Sequence, residues 1–273
     1  MEFSKVILEL VSPLHVGAGR AGMLARCYGF VPGHVLFYAL VAAIGQARGG
    51  RYEHFATTLS ELQTKLRCGP LFIYDAEQQR PFNPRRDRPV IEAHYLDAVN
   101  HVTLELESTS AVEGALFEVE HIAPLCLHGP KRGEPTRLIG GLWFQEAKVD
   151  NRSWSDWLNL CRLGGELKVG LGRVRITEWD LGARNYAGLG VMNGLGLHLQ
   201  AGEILPGPSI SGVGNAPSQP WLGRLFDPKQ GFGRRFSQPV LVQIDGIVEE
   251  EGFFLPADTE AGLGCWIRYE NRN

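Results

Sequence analysis

Apolar and polar positions alternate over residues 4–10 (Ser-Lys-Val-Ile-Leu-Glu-Leu), which predicts a strand that Pro13 brings to an end. A glycine-punctuated loop follows to about Phe30. Residues 35–44 are apolar on nearly every face, follow Pro32-Gly33-His34 and stop before Gly49-Gly50, the pattern of a buried helix. Residues 60–67 predict a second helix and 71–74 a short strand. The stretch 80–88 holds two prolines and no periodicity, so it reads as a loop or a projecting hairpin. Clean alternation returns over 102–106 and 115–122, each a predicted strand. Residues 138–144 form a further apolar strand, in which Gly140-Gly141 implies a bulge or a close backbone approach. Ser153-Trp154-Ser155-Asp156 is a capping box that opens a helix running to Cys161, with its end at Gly164-Gly165. Residues 174–177 alternate again. Beyond Asp180 the chain is looser and rich in Gly and Pro, with one strand at 240–247 and another at 265–269. The pattern describes an α+β core over residues 1–180 and an extension over 181–273 that completes or flanks it.

Composition narrows the function classes. With 273 residues, 44% hydrophobic and 21% charged, the chain is long enough for a sizeable core and has the balance of an ordinary globular protein. No run of 18 apolar residues exists, and the N-terminus lacks the features of a signal peptide, so no membrane partner is expected. Cys27, Cys68, Cys126, Cys161 and Cys265 are scattered, with no C-x-x-C pair. Neither a disulfide framework nor a zinc knuckle is expected, and the natural compartment is a reducing cytoplasm. The net charge of -3 matters less than its distribution. Residues 10–52 contain no Asp or Glu but hold Arg20, Arg26, Arg48 and Arg51. Residues 228–244 are also acid-free and carry Lys229, Arg234 and Arg235. Residues 80–88 set four arginines, Arg85 and Arg86 among them, against one acid. Such segregation suits a basic groove that tracks phosphates, although glycine-rich loops are also acid-poor for no reason of binding.

Gly17-Ala18-Gly19-Arg20-Ala21-Gly22 satisfies G-x-G-x-x-G after a strand. A dinucleotide site would need a helix starting inside that loop and an acid about 20 residues on. Pro32 arrives too soon and no acid lies between Glu9 and Glu53, so that reading falls. The loop can instead present backbone N–H groups to a phosphate, helped by His15 and Arg20, or be a plain turn. The eight histidines are dispersed, none paired at metal-ligand spacing, so no metal or other cofactor is expected. Trp154 and Trp157 read as core, while Trp143 beside the paired glycines is a candidate RNA contact.

Three segments in order resemble the RAMP superfamily of type III CRISPR effector subunits: Ser12-Pro13-Leu14-His15-Val16-Gly17-Ala18-Gly19, then Val31-Pro32-Gly33-His34-Val35-Leu36-Phe37-Tyr38-Ala39-Leu40, then Leu163-Gly164-Gly165-Glu166-Leu167-Lys168-Val169-Gly170-Leu171-Gly172-Arg173-Val174. The likeness spans about residues 4–177. It implies a ferredoxin-like (RRM-like) core with long Gly/Pro-rich insertions and a C-terminal elaboration. It also implies contact with guide crRNA, with target RNA in the assembled complex, and with other RAMP subunits and a large type III signature subunit. The slicing members of the family place an aspartate between the first strand and the Pro-Gly helix start; residues 16–31 here hold neither Asp nor Glu. The guide-processing members place the glycine-rich loop near the C-terminus; here 100 residues follow Arg173. The resemblance therefore implies a non-catalytic subunit, most like the class that grips the guide 5′ handle and caps the filament, with a backbone subunit as the alternative. The RNA-binding residues expected on this reading are His15, Gly17, Gly19, Arg20, Arg26, His34, Arg85, Arg86, Lys168, Gly170, Gly172 and Arg173. A side chain at Gly170 or Gly172 is expected to block RNA while sparing the fold. Two rival readings remain: a metal-independent endoribonuclease using His15 or His34, and a small-molecule enzyme holding a phosphate ligand in the glycine-rich loops.

Overall fold

A computed structural model describes residues 1–105, 107–113, 115–192, 196–221, 224–227, 231–236, 239–257 and 264–269. The chain opens with strand β1 (Glu2–Leu10), the hairpin strands β2 (Gly17–Ala21) and β3 (Leu24–Cys27), and the short β4 (Phe30–Val31). Helices α1 (Gly33–Ala47) and α2 (Tyr52–Lys65) follow, then β5 (Leu66–Cys68), β6 (Leu71–Asp75) and β7 (Arg80–Pro81). Helix α3 (Arg88–Tyr95) leads into β8 (Leu96–His101), β9 (Phe117–Ile122) and β10 (Arg137–Phe144). The small pair β11 (Lys148–Val149) and β12 (Arg152–Ser153) precedes α4 (Trp154–Leu160), and β13 (Val174–Leu181) closes the core.

The central sheet runs β13-β1-β10-β6-β4, with neighbours antiparallel. Taken through β1, α1, β6, β10, α4 and β13, this is a β-α-β-β-α-β unit in the order fourth-first-third-second, the ferredoxin-like arrangement of an α+β domain. Alternation along β1 explains why both sheet faces are dry. Val6, Leu8 and Leu10 join α1, α2 and α4 in one core, while Phe3 and Ile7 face a second core. That second core is roofed by a nine-stranded sheet built from residues 185–269. Its strands include Val240–Val248 and Trp266–Tyr269, close to the two the sequence predicts, together with others that Gly- and Pro-rich stretches conceal.

Helix α4 starts as its capping box requires: the Ser153 hydroxyl accepts from the Asp156 N–H, and Asp156 reaches back to the Ser153 N–H. It ends at Leu160, before the predicted glycine pair. The strand expected at 102–106 is displaced to Leu96–His101 (Leu106 itself lies outside the described residues). Trp143 is not an RNA contact. It is fully buried between the sheets, 4.7 Å from Phe3 and 5.8 Å from Trp266 by ring centroids. The close approach at Gly141 is to the protein's own rings, since a Cβ there would lie 2.7 Å from Phe3 and 2.9 Å from Tyr186.

Candidate nucleic-acid interface

At the end of the central sheet where β1 finishes, β10 and β13 begin: Glu9 pairs with Arg137 and Leu10 with Val174. There the two glycine-bearing segments of the sequence meet. Residues 11–16 are zipped on one side to the glycine-rich loop 161–173, through Val11 N–H to Arg173 O at 2.9 Å, Gly172 N–H to Pro13 O at 2.8 Å and Gly165 N–H to His15 O at 2.8 Å. On the other side Leu14 and Ile122 exchange both backbone hydrogen bonds. The Ser12 hydroxyl accepts from the Arg173 N–H at 2.9 Å, fixing where the loop enters β13.

Within the loop, the Leu163 N–H donates to Gly172 O at 2.9 Å and a 3₁₀ turn spans Leu167–Val169. Glu166, Gly170 and Gly172 all adopt left-handed φ values. The two glycines expected to meet RNA differ in kind. A Cβ on Gly170 would meet open space, whereas one on Gly172 would lie 2.1 Å from Leu163 O. Gly172 is closed by the protein's own backbone, so the expectation that substitution there spares the fold is corrected.

His15 lies beneath this loop, 9% exposed. Its Nδ1 is 2.6 Å from Glu120 O; a carbonyl only accepts, so Nδ1 carries the hydrogen. The other ring nitrogen faces Gly17, whose Cβ would lie 3.5 Å away. The Glu120 carboxylate is engaged as well, accepting the Cys27 N–H at 2.6 Å and tying the β2–β3 hairpin down. Sequence reasoning passed over Glu120 because its partner stands 93 residues away.

The hairpin and loop expose Arg20, Arg26, Lys168 and Arg173, joined by Arg162, whose residue bridges Arg173. None of these five forms an ion pair among the described residues. Gly19, at φ 96, also faces open space on the hairpin. The rim thus combines unpaired cations with uncovered glycine backbone, and Glu166 is the one carboxylate of the loop.

Other expected cations are spoken for. Arg48 sits 2.6 Å from Asp150 and 2.9 Å from Glu61, and hydrogen bonding to those carboxylates holds its pKa well above the usual value. Arg85 and Arg86 follow β7, at the sheet edge remote from β13. The Arg85 N–H donates to Asp245 at 2.6 Å, its guanidinium to Asn215 O at 3.3 Å, and Arg86 lies 3.6 Å from Asp87. The structure therefore does not bring this pair to the glycine-rich rim. Residues 228–230 and 237–238 of the second acid-poor stretch, Lys229 included, lie outside the described residues.

His34 occupies the first turn of α1 with its ring edge-on to Trp221, centroids 5.9 Å apart. Burial pushes its pKa down to about 4, so near neutral pH it offers phosphate no charge. The unfolded chain takes up this proton near 6.5 and the folded one only near 4. Stability is therefore present above 6.5 and falls as pH drops toward 4, by roughly 3 kcal/mol. His34→Gln is expected to flatten that part of the melting-temperature profile between pH 6.5 and 4; an unchanged slope would assign the titration to another group.

A cavity of about 340 Å³ opens beside the end of β6, lined by Tyr74, Asp75, Tyr95, Lys131 and Arg137 among others. It does not include the glycine-rich loops. Its lysine is held by Asp75 at 2.5 Å and Glu77 at 3.0 Å, which leaves little to attract a phosphate ligand. Among the described residues no group of three His, Cys, Asp or Glu side chains is arranged to hold a metal ion.

No family model matches the chain, and no curated protein matches it by sequence. Solved structures do. One is a chain in the cryo-EM structure of the type III-B Cmr-beta bound to cognate target RNA and AMPPnP, with 10% identity, a TM-score of 0.51, and coverage of 89% of this chain and 85% of that one. Another, from the type III-B Cmr-beta bound to cognate target RNA, has 10% identity, a TM-score of 0.41, and coverage of 65% of this chain and 96% of that one. At such identity the first of these likenesses speaks for the fold: over most of its length the chain is folded like a subunit of a type III-B complex.

Proposed function

We propose that this chain is a non-catalytic guide-RNA-binding subunit of a type III CRISPR effector ribonucleoprotein, gripping the guide at its 5′ handle. The observation that carries the reading is the rim itself. Two separate glycine-bearing segments are hydrogen-bonded into one surface that exposes Arg20, Arg26, Arg162, Lys168 and Arg173 without ion-pair partners among the described residues. Unpaired cations beside glycines whose Cα faces open space, Gly19 and Gly170, suit close approach of a phosphate backbone and select charge over sequence. The fold shared with a chain of the Cmr-beta complex supports the same reading. The test is co-expression of the tagged chain with its genomic neighbours. A discrete small RNA with a constant 5′ end in the purified particle is the expected result, and a chain that carries no RNA sinks the proposal.

This reading expects no phosphodiester cleavage by the chain. Metal-assisted cleavage needs carboxylates at the scissile phosphate, and residues 10–52 have none. Of the two histidines open to an acid/base role, His34 is packed against Trp221 and His15 has Nδ1 committed to Glu120 O. Guide-complementary RNA incubated with the complex, with and without magnesium, is expected to show no cut that depends on this chain. Products that vanish in His15→Ala would make it a nuclease.

A further inference from the structure

The Nδ1–H of His15 is spent on Glu120 O, 2.6 Å away, and in a neutral imidazole that leaves Nε2 as a lone-pair acceptor. This second nitrogen has no hydrogen-bond partner among the described residues. Nor is it one of the orphaned polar atoms sealed from solvent, although the residue as a whole is only 9% exposed. Two glycines keep that edge of the ring open. A Cβ on Gly17 would lie 3.5 Å from Nε2, and one on Gly165 would lie 3.3 Å from the adjoining ring carbon Cδ2. A longer side chain at either place would lean over the ring. Backbone pairing holds both glycines there: Gly165 N–H donates to His15 O at 2.8 Å, and Gly17 pairs with Cys27, whose N–H is tied to the Glu120 carboxylate. The result is an acceptor nine-tenths buried, fixed in rotation by Glu120 O and uncovered by two missing side chains. Such an atom calls for one hydrogen from a ligand.

We infer that His15 Nε2 accepts the 2′-hydroxyl of one guide nucleotide, so that the rim selects ribose over deoxyribose. The inference rests on the guide-binding reading and adds sugar recognition to it. A phosphodiester oxygen carries no hydrogen and would set its lone pairs against that of Nε2. The amino groups of bases can donate, but they stand at the far end of the nucleotide from the phosphates that the rim cations attract. The 2′-hydroxyl sits beside those phosphates in every ribonucleotide, and it is the group by which a protein tells RNA from DNA. Cations alone give no such choice, since both backbones carry the same charge.

The test is fluorescence anisotropy of the purified full chain on a labelled guide, and on copies carrying a single 2′-deoxy substitution at each position in turn. One position is expected to weaken binding about fivefold, the size of one net hydrogen bond, with the salt slope unchanged. Two variants assign the effect. His15→Asn puts an amide N–H where Nδ1 stands and nothing where Nε2 stands. It is expected to keep the Glu120 bond, to bind the all-ribose guide about fivefold more weakly and to lose its sensitivity at that position. His15→Gln carries an amide oxygen as far along the side chain as Nε2 and is expected to recover part of that sensitivity. Independently of the variants, the ¹⁵N resonance of Nε2 in the wild-type chain is expected to move on binding the all-ribose guide and to stay on binding the copy deoxygenated at that position. Wild-type tolerance of every 2′-deoxy substitution within about twofold overturns the inference and leaves guide binding standing. A loss in His15→Asn that is the same for both guides also overturns it, as does a sensitivity that follows the base instead of the sugar. Binding that tightens as pH falls, with no preference for ribose, makes Nε2–H a phosphate donor and overturns it too. A wild-type chain that binds no guide sinks this inference and the guide-binding reading together.

Discussion

Gly172→Val is expected to collapse the rim, lowering Tm by about 10 °C and abolishing RNA binding in the same variant. Two costs add. At φ 80 a β-branched residue is in a region that only glycine occupies freely, worth roughly 1–2 kcal/mol. The new Cβ would also stand 2.1 Å from Leu163 O, the residue whose N–H bonds back to Gly172 O. Relieving that clash breaks the bond and pulls Gly172 N–H away from Pro13 O, separating the loop from residues 11–16. About 2 kcal/mol more goes with those bonds, each leaving a partly buried group without a partner. Gly170→Ala is the control. It shares the left-handed backbone, φ 96, but its Cβ meets nothing, so it is expected to cost about 1 kcal/mol and to leave the melt close to wild type. Calorimetry on the two variants checks the contrast, and equal melts would mean that the Leu163–Gly172 closure is absent.

That contrast shows what the sequence can and cannot display. Local pattern is legible: the alternation of β1, the all-apolar α1 and the Ser153 capping box each report their own structure, because the cause lies within a few residues. Glycine is different, since it reports only that a side chain is unwelcome. Gly141, Gly170 and Gly172 look alike in sequence. In the fold one faces Phe3 and Tyr186, one faces solvent and one faces Leu163 O. Arginine shares the difficulty. The acid-poor windows that held Arg20 and Arg48 could not reveal that Arg48 is met by Asp150, 102 residues on, while Arg20 remains unpaired among the described residues. The roof over Trp143 was hidden for a related reason. Residues 204–209 show why: they pair with a strand some 40 residues on and include Gly and Pro, so their periodicity is faint although five of the six are buried.

Replacing Arg20, Arg26, Lys168 and Arg173 together by Ala is expected to weaken guide-RNA binding by about a hundredfold near physiological salt. All four are exposed and none has an ion-pair partner among the described residues. Their removal therefore breaks no internal bridge, and the melt is expected to stay within about 2 °C of wild type. Each phosphate contact on a single strand contributes about 0.7 to the slope of log affinity against log salt, so losing four flattens that slope by roughly 3. The slope separates the proposed mechanism from a structural effect, since a misfolded rim would lower affinity without a proportionate change in counterion release. Arg85→Ala with Arg86→Ala is the paired control, because those guanidiniums face Asn215 O and Asp87 at the far edge of the sheet. That double variant is expected to bind within about twofold of wild type, with the slope unchanged. Fluorescence anisotropy on a labelled guide across a salt series measures both. Should the far-edge pair carry the salt dependence while the four rim cations prove neutral, the interface lies on the other side of the sheet and the assignment of the glycine-rich rim fails.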